Sequence, residues 1–258
     1  MREALFLRLN MDKNVSEKNA GESRLKRAEK LLRKKLKWML ALVLLAGCIC
    51  GSYTLSRYVA GTKVEKEEVQ VILDAGHGGS DPGKVGIDNV LEKDLNLQIA
   101  LKVKKYLEKE KIAVMLTRET DTGLGNAETG NKKVEDMKAR VEMINQIQPD
   151  IAVSIHQNSY QDPEVKGAQV FYYSHSESGE ELAKIMQEVL REVDTENHRQ
   201  VKANDTYYLL KRTKVPTIIV ECGFLTNPEE AAALAGEEYQ EEMAQAIGKG
   251  IKKCLGEK

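Results

Sequence analysis

Apolar runs alternate with amphipathic stretches from residue 69 to the end of the chain. Short apolar runs bounded by turn residues predict strands, and apolar residues three or four positions apart predict helices. The clearest helical stripe comprises Leu95, Ile99, Val103 and Leu107. The predicted strands are 69–74, 112–117, 150–155, 168–173 and 217–220, and the predicted helices are 92–110, 134–144, 180–193, one that begins at Pro228, and 237–255.

This order of elements indicates the fold class. Strands that alternate with helices are typical of α/β domains. Strands that are apolar along their whole length favour a parallel sheet that is covered on both faces. We therefore expect a single α/β domain with a twisted, largely parallel sheet flanked by helices on both faces.

The first 57 residues differ from the rest of the chain in charge. They carry 13 Lys and Arg against 5 Asp and Glu, whereas the remainder carries 26 against 35. Residues 38–56 contain no charged side chain, and eight of the fourteen residues before Trp38 are basic. Such a segment is just long enough to cross a bilayer as a helix, and its basic flank is expected to stay in the cytoplasm.

We therefore predict a basic cytoplasmic tail at 1–37, a transmembrane or signal segment at 38–56, a linker at 57–68 and a folded domain at 69–255 outside the cytoplasm. A buried core helix is the alternative interpretation of 38–56, and the dense basic flank disfavours it. Leu45-Ala46-Gly47-Cys48 also resembles a lipobox, at which bacteria cleave and acylate a cysteine. Because the basic surplus lies in the tail, the folded domain is not expected to bind nucleic acid.

Polar groups follow three of the predicted strands. His77 stands after the first strand between glycines, His156 follows the third strand, and Glu221 follows the strand at 217–220. Glu92 opens the helix that follows the first strand. Parallel strands bring their carboxyl ends to one edge of a sheet, so these groups are expected to converge. The glycines beside His77 are expected to leave room for a ligand.

Two histidines and a carboxylate with an open fourth position describe a catalytic zinc site. A further carboxylate that is not a ligand would then exchange protons with a water and a leaving group. Each residue also has a structural interpretation. The histidines suit ordinary core or surface positions, Glu92 suits a capping box with Asn89, and Glu221 suits an ion pair. The spacing alone leaves these alternatives open.

Five stretches of the chain resemble one family, the zinc-dependent N-acetylmuramoyl-L-alanine amidases of type 3. They are ILDAGHGG at 72–79, LEKDLN at 91–96, TRETD at 117–121, SIHQN at 154–158, and the segment from VP to ECGFLTNP at 215–228. The resemblance implies one Zn²⁺ held by His77, Glu92 and His156, with Glu221 as the catalytic carboxylate. It also implies a zinc amidase domain at 69–255 that cleaves the amide between the lactyl group of muramic acid and the L-alanine of the stem peptide.

Three residues are candidates for binding the peptidoglycan substrate. Asn158 follows His156 closely enough to hydrogen-bond a substrate. Arg118 and Arg199 suit a peptide carboxylate, because a guanidinium can bind it through two hydrogen bonds. A carboxylate-binding arginine would equally serve a wall carboxypeptidase, which is the alternative enzyme. A catalytically silent wall-binding protein of the same fold is the alternative from another class.

Within the family, the chain is most similar to the germination-specific, spore-cortex (CwlD-type) amidases of endospore formers. The similar stretches are GAQVFYY at 167–173, RQ at 199–200 and YLLK at 208–211. This resemblance implies that the protein strips stem peptides from muramic acid, which permits formation of muramic-δ-lactam in the cortex. It also leaves room for a regulatory or zinc-loading protein partner.

Overall fold

A computed structural model describes residues 68–125 and 131–256, together with residues 33, 35 and 37–39. The chain divides into two compact units, Met1–Lys66 and Glu67–Lys258. In the first unit the described residues are helical and exposed. The predicted segments 1–37, 38–56 and 57–68 lie almost entirely outside the described residues. Within the described part, no helix is both long enough and apolar enough to cross a membrane.

Six strands of the second unit form one mixed sheet: β1 (Val71–Ala75), β2 (Val114–Leu116), β3 (Ile151–Asn158), β4 (Gln169–Tyr173), β5 (Lys202–Asn204) and β6 (Thr217–Phe224). Their order in the sheet is β2-β1-β3-β6-β4-β5. Four of the five neighbouring pairs are parallel, and β4 runs antiparallel to β6. The sheet is therefore largely parallel, as expected, and is mixed because of the single β4–β6 pair.

Helices cover both faces of this sheet. They are α1 (Glu92–Lys109), α2 (Lys132–Ile147), α3 (Glu177–Val193), α4 (Tyr208–Arg212), α5 (Pro228–Ala235) and α6 (Glu237–Cys254), and a 3-10 turn spans Ile87–Asn89. Successive strand residues point to opposite faces. Leu73 and Val153 therefore pack in the large core with α1, α3 and α6, whereas Ile72 and Ala152 pack against Val141 of α2.

Side chains at the helix starts agree with the local sequence. Asn131 caps α2, Ser176 caps α3 and Asn227 caps α5, in each case by accepting a hydrogen bond from a backbone N–H of the first turn. Pro228 occupies the first helical position of α5, where a missing N–H costs nothing. These three helices therefore begin where capping chemistry predicts.

Two strands are longer than their apolar runs. The predictions end them at 155 and 220, but β3 continues to Asn158 and β6 to Phe224. His156 and Glu221 thus lie inside strands rather than after them. The apolar runs end before the strands do, because the polar residues His156 and Glu221 interrupt them. β5 and α4 are not predicted, since β5 (Lys-Ala-Asn) contains no apolar run and the five residues of α4 are too few to show helical periodicity.

Candidate metal centre and active site

His77, Glu92 and His156 converge at the carboxyl edge of the sheet. His77 lies in the turn after β1, Glu92 is the first residue of α1, and His156 lies on β3. Glu92 Oε1 lies 3.2 Å from His77 Nε2 and 2.9 Å from His156 Nδ1. One potential ligand atom from each side chain lies within 4.8 Å of the other two. The structure thus brings together the three residues that the sequence proposes as ligands.

Two buried arginines hold the turn that carries His77. The carbonyl of Ala75 accepts from Arg118 Nε at 2.9 Å and from Arg140 Nη1 at 2.8 Å. Arg118 also donates to the carbonyl of Gly76 at 3.1 Å, and Arg140 to that of His77 at 2.6 Å. His77 itself has φ 62°, a conformation that costs free energy in a residue with a side chain. The arginines therefore fix a turn that the local sequence disfavours.

The placement of Arg118 contradicts its predicted role in substrate binding. The residue is 4 % exposed, and its guanidinium also donates to the carbonyls of Lys93 and Thr120. A side chain that is buried and engaged with four carbonyls does not reach a ligand. Arg118 is therefore a structural residue of the turn.

Asp81 orients the imidazole of His77. Its Oδ2 accepts from His77 Nδ1 at 2.9 Å. Burial opposes ionisation of Asp81. The hydrogen bond from His77 and the electrostatic attraction of that imidazole nevertheless lower the pKa of the Asp81 carboxyl group. A carboxylate on the far nitrogen of a metal-ligating histidine fixes its tautomer and ring orientation. It leaves Nε2 directed at Glu92. Asp81 stands four residues after His77 and was not predicted from the sequence.

Glu92 contacts two histidines and two backbone N–H groups and does not cap its helix. Leu91 is the N-cap of α1 and makes no side-chain cap, and Asn89 belongs to the preceding 3-10 turn, so the capping-box interpretation is wrong. Glu92 Oε2 accepts from the N–H of Lys84 at 2.7 Å, and Oε1 from that of Gln157 at 3.2 Å. Burial opposes ionisation, but the contacts with His156 and His77 hold the pKa of Glu92 well below its usual range. Glu92 is therefore ionised at neutral pH.

These donor atoms fit a metal ion. Two imidazole nitrogens and one carboxylate oxygen are a set that zinc prefers, and three protein ligands are the number typical of catalytic zinc sites. The histidine side chains are 17 % and 22 % exposed, so the group remains open to a ligand on one side. The negative charge of Glu92 between the two imidazoles also favours a divalent cation at this point.

Glu221 lies beside His156 on the same face of the sheet. The two residues are cross-strand partners in the β3–β6 register. Glu221 is 7 % exposed, and its Oε2 is buried without a hydrogen-bond partner among the described residues. Burial raises the pKa of Glu221 to about 7, Glu92 acts in the same direction, and the two histidines oppose it. A carboxyl group with such a pKa is suited to accept and return a proton near neutral pH.

A cavity of about 450 Å³ opens over these four residues. Asn158 and Tyr207 are among the residues that line it. Arg199 is not among them. It stacks on the ring of Phe224 with 4.6 Å to the centroid and donates to the carbonyl of Lys166. The structure therefore places one predicted substrate-binding residue, Asn158, in the cavity and leaves Arg199 outside it.

The glycines around His77 serve the protein's own packing. A Cβ on Gly76 would overlap the ring of His156. Gly78 has φ +133°, and a Cβ there would lie 2.6 Å from the carbonyl oxygen of Thr122. The expected room for a ligand is thus occupied by an imidazole and by the neighbouring loop.

Besides Asp81, three more residues of this region were not predicted from the sequence, namely Lys133, Arg140 and Tyr207. Arg140 is 1 % exposed and donates to Asp74 at 2.5 Å and to Asp136 at 2.6 Å. The sequence contains a signal for the burial of Arg140, since this residue falls on the apolar face of α2 beside Val141.

Burial raises the pKa of Tyr207 to about 12, and Glu221 and Glu92 add to this, so its hydroxyl is protonated.

Comparison with known proteins agrees with this geometry. The chain is 35 % identical, over 88 % of its length and 98 % of the relative, to the germination-specific N-acetylmuramoyl-L-alanine amidase of Bacillus subtilis. The structure of the CwlD amidase from Clostridioides difficile in complex with the GerS lipoprotein matches with a TM-score of 0.70 and 43 % identity, covering 72 % of this chain and 98 % of that one.

The catalytic domain of CwlV, an N-acetylmuramoyl-L-alanine amidase from Bacillus (Paenibacillus) polymyxa var. colistinus, matches with a TM-score of 0.65 and 32 % identity over 73 % of this chain and 98 % of that one. The family model described as N-acetylmuramoyl-L-alanine amidase matches residues 71–253, which include every residue of the convergent site. The chain therefore belongs to the N-acetylmuramoyl-L-alanine amidase family.

Proposed function

We propose that this protein is a zinc-dependent peptidoglycan hydrolase that cleaves the amide between N-acetylmuramic acid and the L-alanine of the stem peptide. The observation that carries the proposal is the convergence of His77, Glu92 and His156 beside the buried carboxyl group of Glu221. The family and its named relatives support the same activity. The nitrogen and oxygen donor set supports zinc as the metal.

The side chains divide the work of amide hydrolysis between them. A metal ion held by the three ligands would polarise the amide carbonyl and lower the pKa of a bound water. Asp81 keeps the proton of His77 on Nδ1, so that Nε2 stays available for ligation. Glu221 takes a proton from the attacking water at its carboxylate and gives one to the departing amine of L-alanine. Its raised pKa allows both steps near neutral pH.

Substrate contacts are proposed for the cavity wall. Asn158 stands at the end of β3, two residues after His156, and lines the cavity. Its side chain carries both a donor and an acceptor, which suit the peptide groups on either side of the scissile amide. The protonated hydroxyl of Tyr207 is a second donor on the same wall.

The biological setting is proposed to be maturation of the spore cortex. Similarity to a germination-specific amidase and to the CwlD amidase supports removal of stem peptides on the way to muramic-δ-lactam. The catalytic domain would act outside the cytoplasm, anchored through residues 38–56. The CwlD amidase is described in complex with the GerS lipoprotein, which supports a regulatory or zinc-loading partner for this chain as well.

Product analysis on intact peptidoglycan tests the activity. The purified protein is expected to release stem peptides with a new L-alanine amino terminus, in the presence of zinc and not after chelation. Glu221→Gln is expected to lower the rate at least about 100-fold, which is the usual contribution of a general acid–base group, while it retains the metal. Glu188→Gln, on the exposed surface of α3, is the matched control.

Two results would contradict the proposal. Release of a terminal amino acid alone would indicate a wall carboxypeptidase. Identical muropeptide profiles for the wild type, Glu221→Gln and a blank would indicate a wall-binding protein without catalysis. The cortex role has its own test, because spores that lack the protein are expected to lose muramic-δ-lactam.

A further inference from the structure

The wall of the active-site cavity carries two cations among its described residues, Lys133 and Arg140. Arg140 is buried, and its guanidinium is engaged with two carboxylates and two carbonyls. The side chain of Lys133 is 67 % exposed. Of the two cations on the described part of the wall, Lys133 is therefore the one that a ligand can reach.

Lys133 stands where the cavity meets a second groove. That groove has a volume of about 590 Å³ and shares Asp81, Lys133 and Asp136 with the active-site cavity. Its remaining walls include four glycines, at 78, 79, 123 and 125. A substrate that runs from the metal centre into this groove therefore passes the ammonium of Lys133.

The ammonium is held only loosely by the protein. Lys133 Nζ lies 3.4 Å from Asp81 Oδ2, and the same oxygen accepts from His77 Nδ1 at 2.9 Å. An exposed ion pair of this kind contributes little free energy. An ammonium group has three donors, so Lys133 retains hydrogen-bonding capacity for a ligand.

We propose that Lys133 forms a subsite for a carboxylate of the peptide that leaves during amide hydrolysis, beyond its first alanine. The proposal rests on the proposed function. One carboxylate and one imidazole separate Nζ from the metal centre. An extended peptide advances about 3.3–3.6 Å per residue, and the second residue is the one whose carboxylate is proposed to meet Lys133. The muramic acid side of the bond, as its N-acetylated glycan, offers no comparable charge.

The other charges of the wall make the subsite selective. Asp74, Asp81, Glu92, Asp136 and Glu221 are the carboxylates of the described wall, so Lys133 is the position on it at which an incoming carboxylate meets a reachable cation. A carboxylate is therefore directed to Lys133, and this contact sets the register of the peptide relative to the scissile amide.

Two soluble substrates test the subsite. They are muramoyl peptides that differ only in the second residue, whose free carboxylate is replaced by a carboxamide in the second compound. The wild type is expected to prefer the acid about three- to tenfold in kcat/KM, as befits an exposed charge pair. In Lys133→Ala this ratio is expected to fall to about one through a higher KM for the acid. Added salt is expected to lower the wild-type ratio.

Lys138→Ala is the matched control. Lys138 lies on the same helix, is 54 % exposed, pairs with Glu135 and lines neither cavity, so its loss changes the net charge equally. An unchanged ratio in Lys133→Ala, or an equal fall in Lys138→Ala, would overturn the subsite. A wild type that cleaves neither compound nor intact peptidoglycan would instead overturn the proposed function, and the subsite with it.

Discussion

Glu221 holds its proton to a higher pH than an ordinary glutamate because its carboxyl group is buried in β6 beside Glu92. Its pKa of about 7 in the folded protein exceeds the ordinary value of 4.5. Between these values the folded state binds a proton that the unfolded state has released. The free energy of unfolding therefore falls as the pH rises from about 4.5 to 7, and the loss is complete above 7.

The prediction from this shift concerns the metal-free protein. Urea unfolding of the chelated wild type between pH 5 and 8 should show a decline in stability with pH that is smaller in Glu221→Gln. The glutamine variant should be the more stable of the two at pH 8, since it places no charge in this buried position. Parallel pH profiles for the two proteins would show that burial does not raise this pKa.

Asp81 is expected to govern metal affinity without touching the metal. Asp81→Asn removes the charge that holds His77 Nδ1 and should weaken metal binding about 10–100-fold, as is usual for the outer partner of a ligating histidine. Competition with a chelator measures this. Asp121→Asn is the control, because Asp121 accepts from Gly79, two residues after His77, and from Lys93 of α1, whereas the bond to His77 Nδ1 comes from Asp81. Equal affinities in the two variants would disprove the role.

At the scale of residues, the sequence predicts those site residues that stand at or just after the end of an apolar run. His77, His156 and Glu221 interrupt or follow apolar runs, and the structure brings them together with Glu92. The role of an arginine is harder to predict, since its guanidinium can bind a substrate carboxylate or donate to buried backbone carbonyls. The burial of Arg118 is a consequence of tertiary packing around the 75–77 turn, which the sequence pattern does not contain.

At the scale of elements, Arg140 links α2 to β1 through a buried ion pair. It pairs with Asp74, which also accepts from Ser154 of β3 at 2.6 Å and from Thr117 at 2.8 Å. Burial opposes ionisation of Asp74, but Arg140 and these hydroxyls lower its pKa to about 2. The network joins the helix, two strands and the histidine turn.

Arg140→Met should therefore destabilise the fold by about 3–5 kcal/mol, because it leaves the charge of Asp74 buried and unpaired. Urea unfolding at pH 7 measures the loss. The double variant Asp74→Asn/Arg140→Met removes both charges and should recover part of the stability. A double variant that is no more stable than Arg140→Met would mean that the unpaired charge is not the cause.

Long helices and their faces follow from the sequence more reliably than short elements do. The ends of α1, α3 and α6 fall within about three residues of the predicted ones, since each helix carries a sustained apolar stripe. The antiparallel direction of β4 was not predicted, because a five-residue apolar run carries no information on its orientation. β5 depends on pairing with β4 and has no pattern of its own.

At the scale of the whole molecule, the order of three strands assembles the site. β1, β3 and β6 are adjacent and parallel, so the turn after β1 and the ends of β3 and β6 meet at one edge. The register pairs His156 with Glu221 and Asp74 with Ser154, which places the proposed proton-transfer group beside a proposed ligand, and the partner of Arg140 on the same three strands. This convergence follows from parallel topology, which the alternation of strands and helices predicts.

The division of the chain at residues 66 and 67 yields the last prediction. All buried core residues of the described part lie between Val71 and Ile251, so the fragment 67–258 should unfold cooperatively and cleave soluble muramoyl peptides. The full chain should sediment with membranes and resist carbonate extraction, because residues 38–56 are uncharged. Leu44→Lys/Leu45→Lys should abolish this resistance, since each central lysine costs about 2.5–3.5 kcal/mol of insertion free energy. Full-length protein that carbonate releases as readily as the fragment would disprove the anchor.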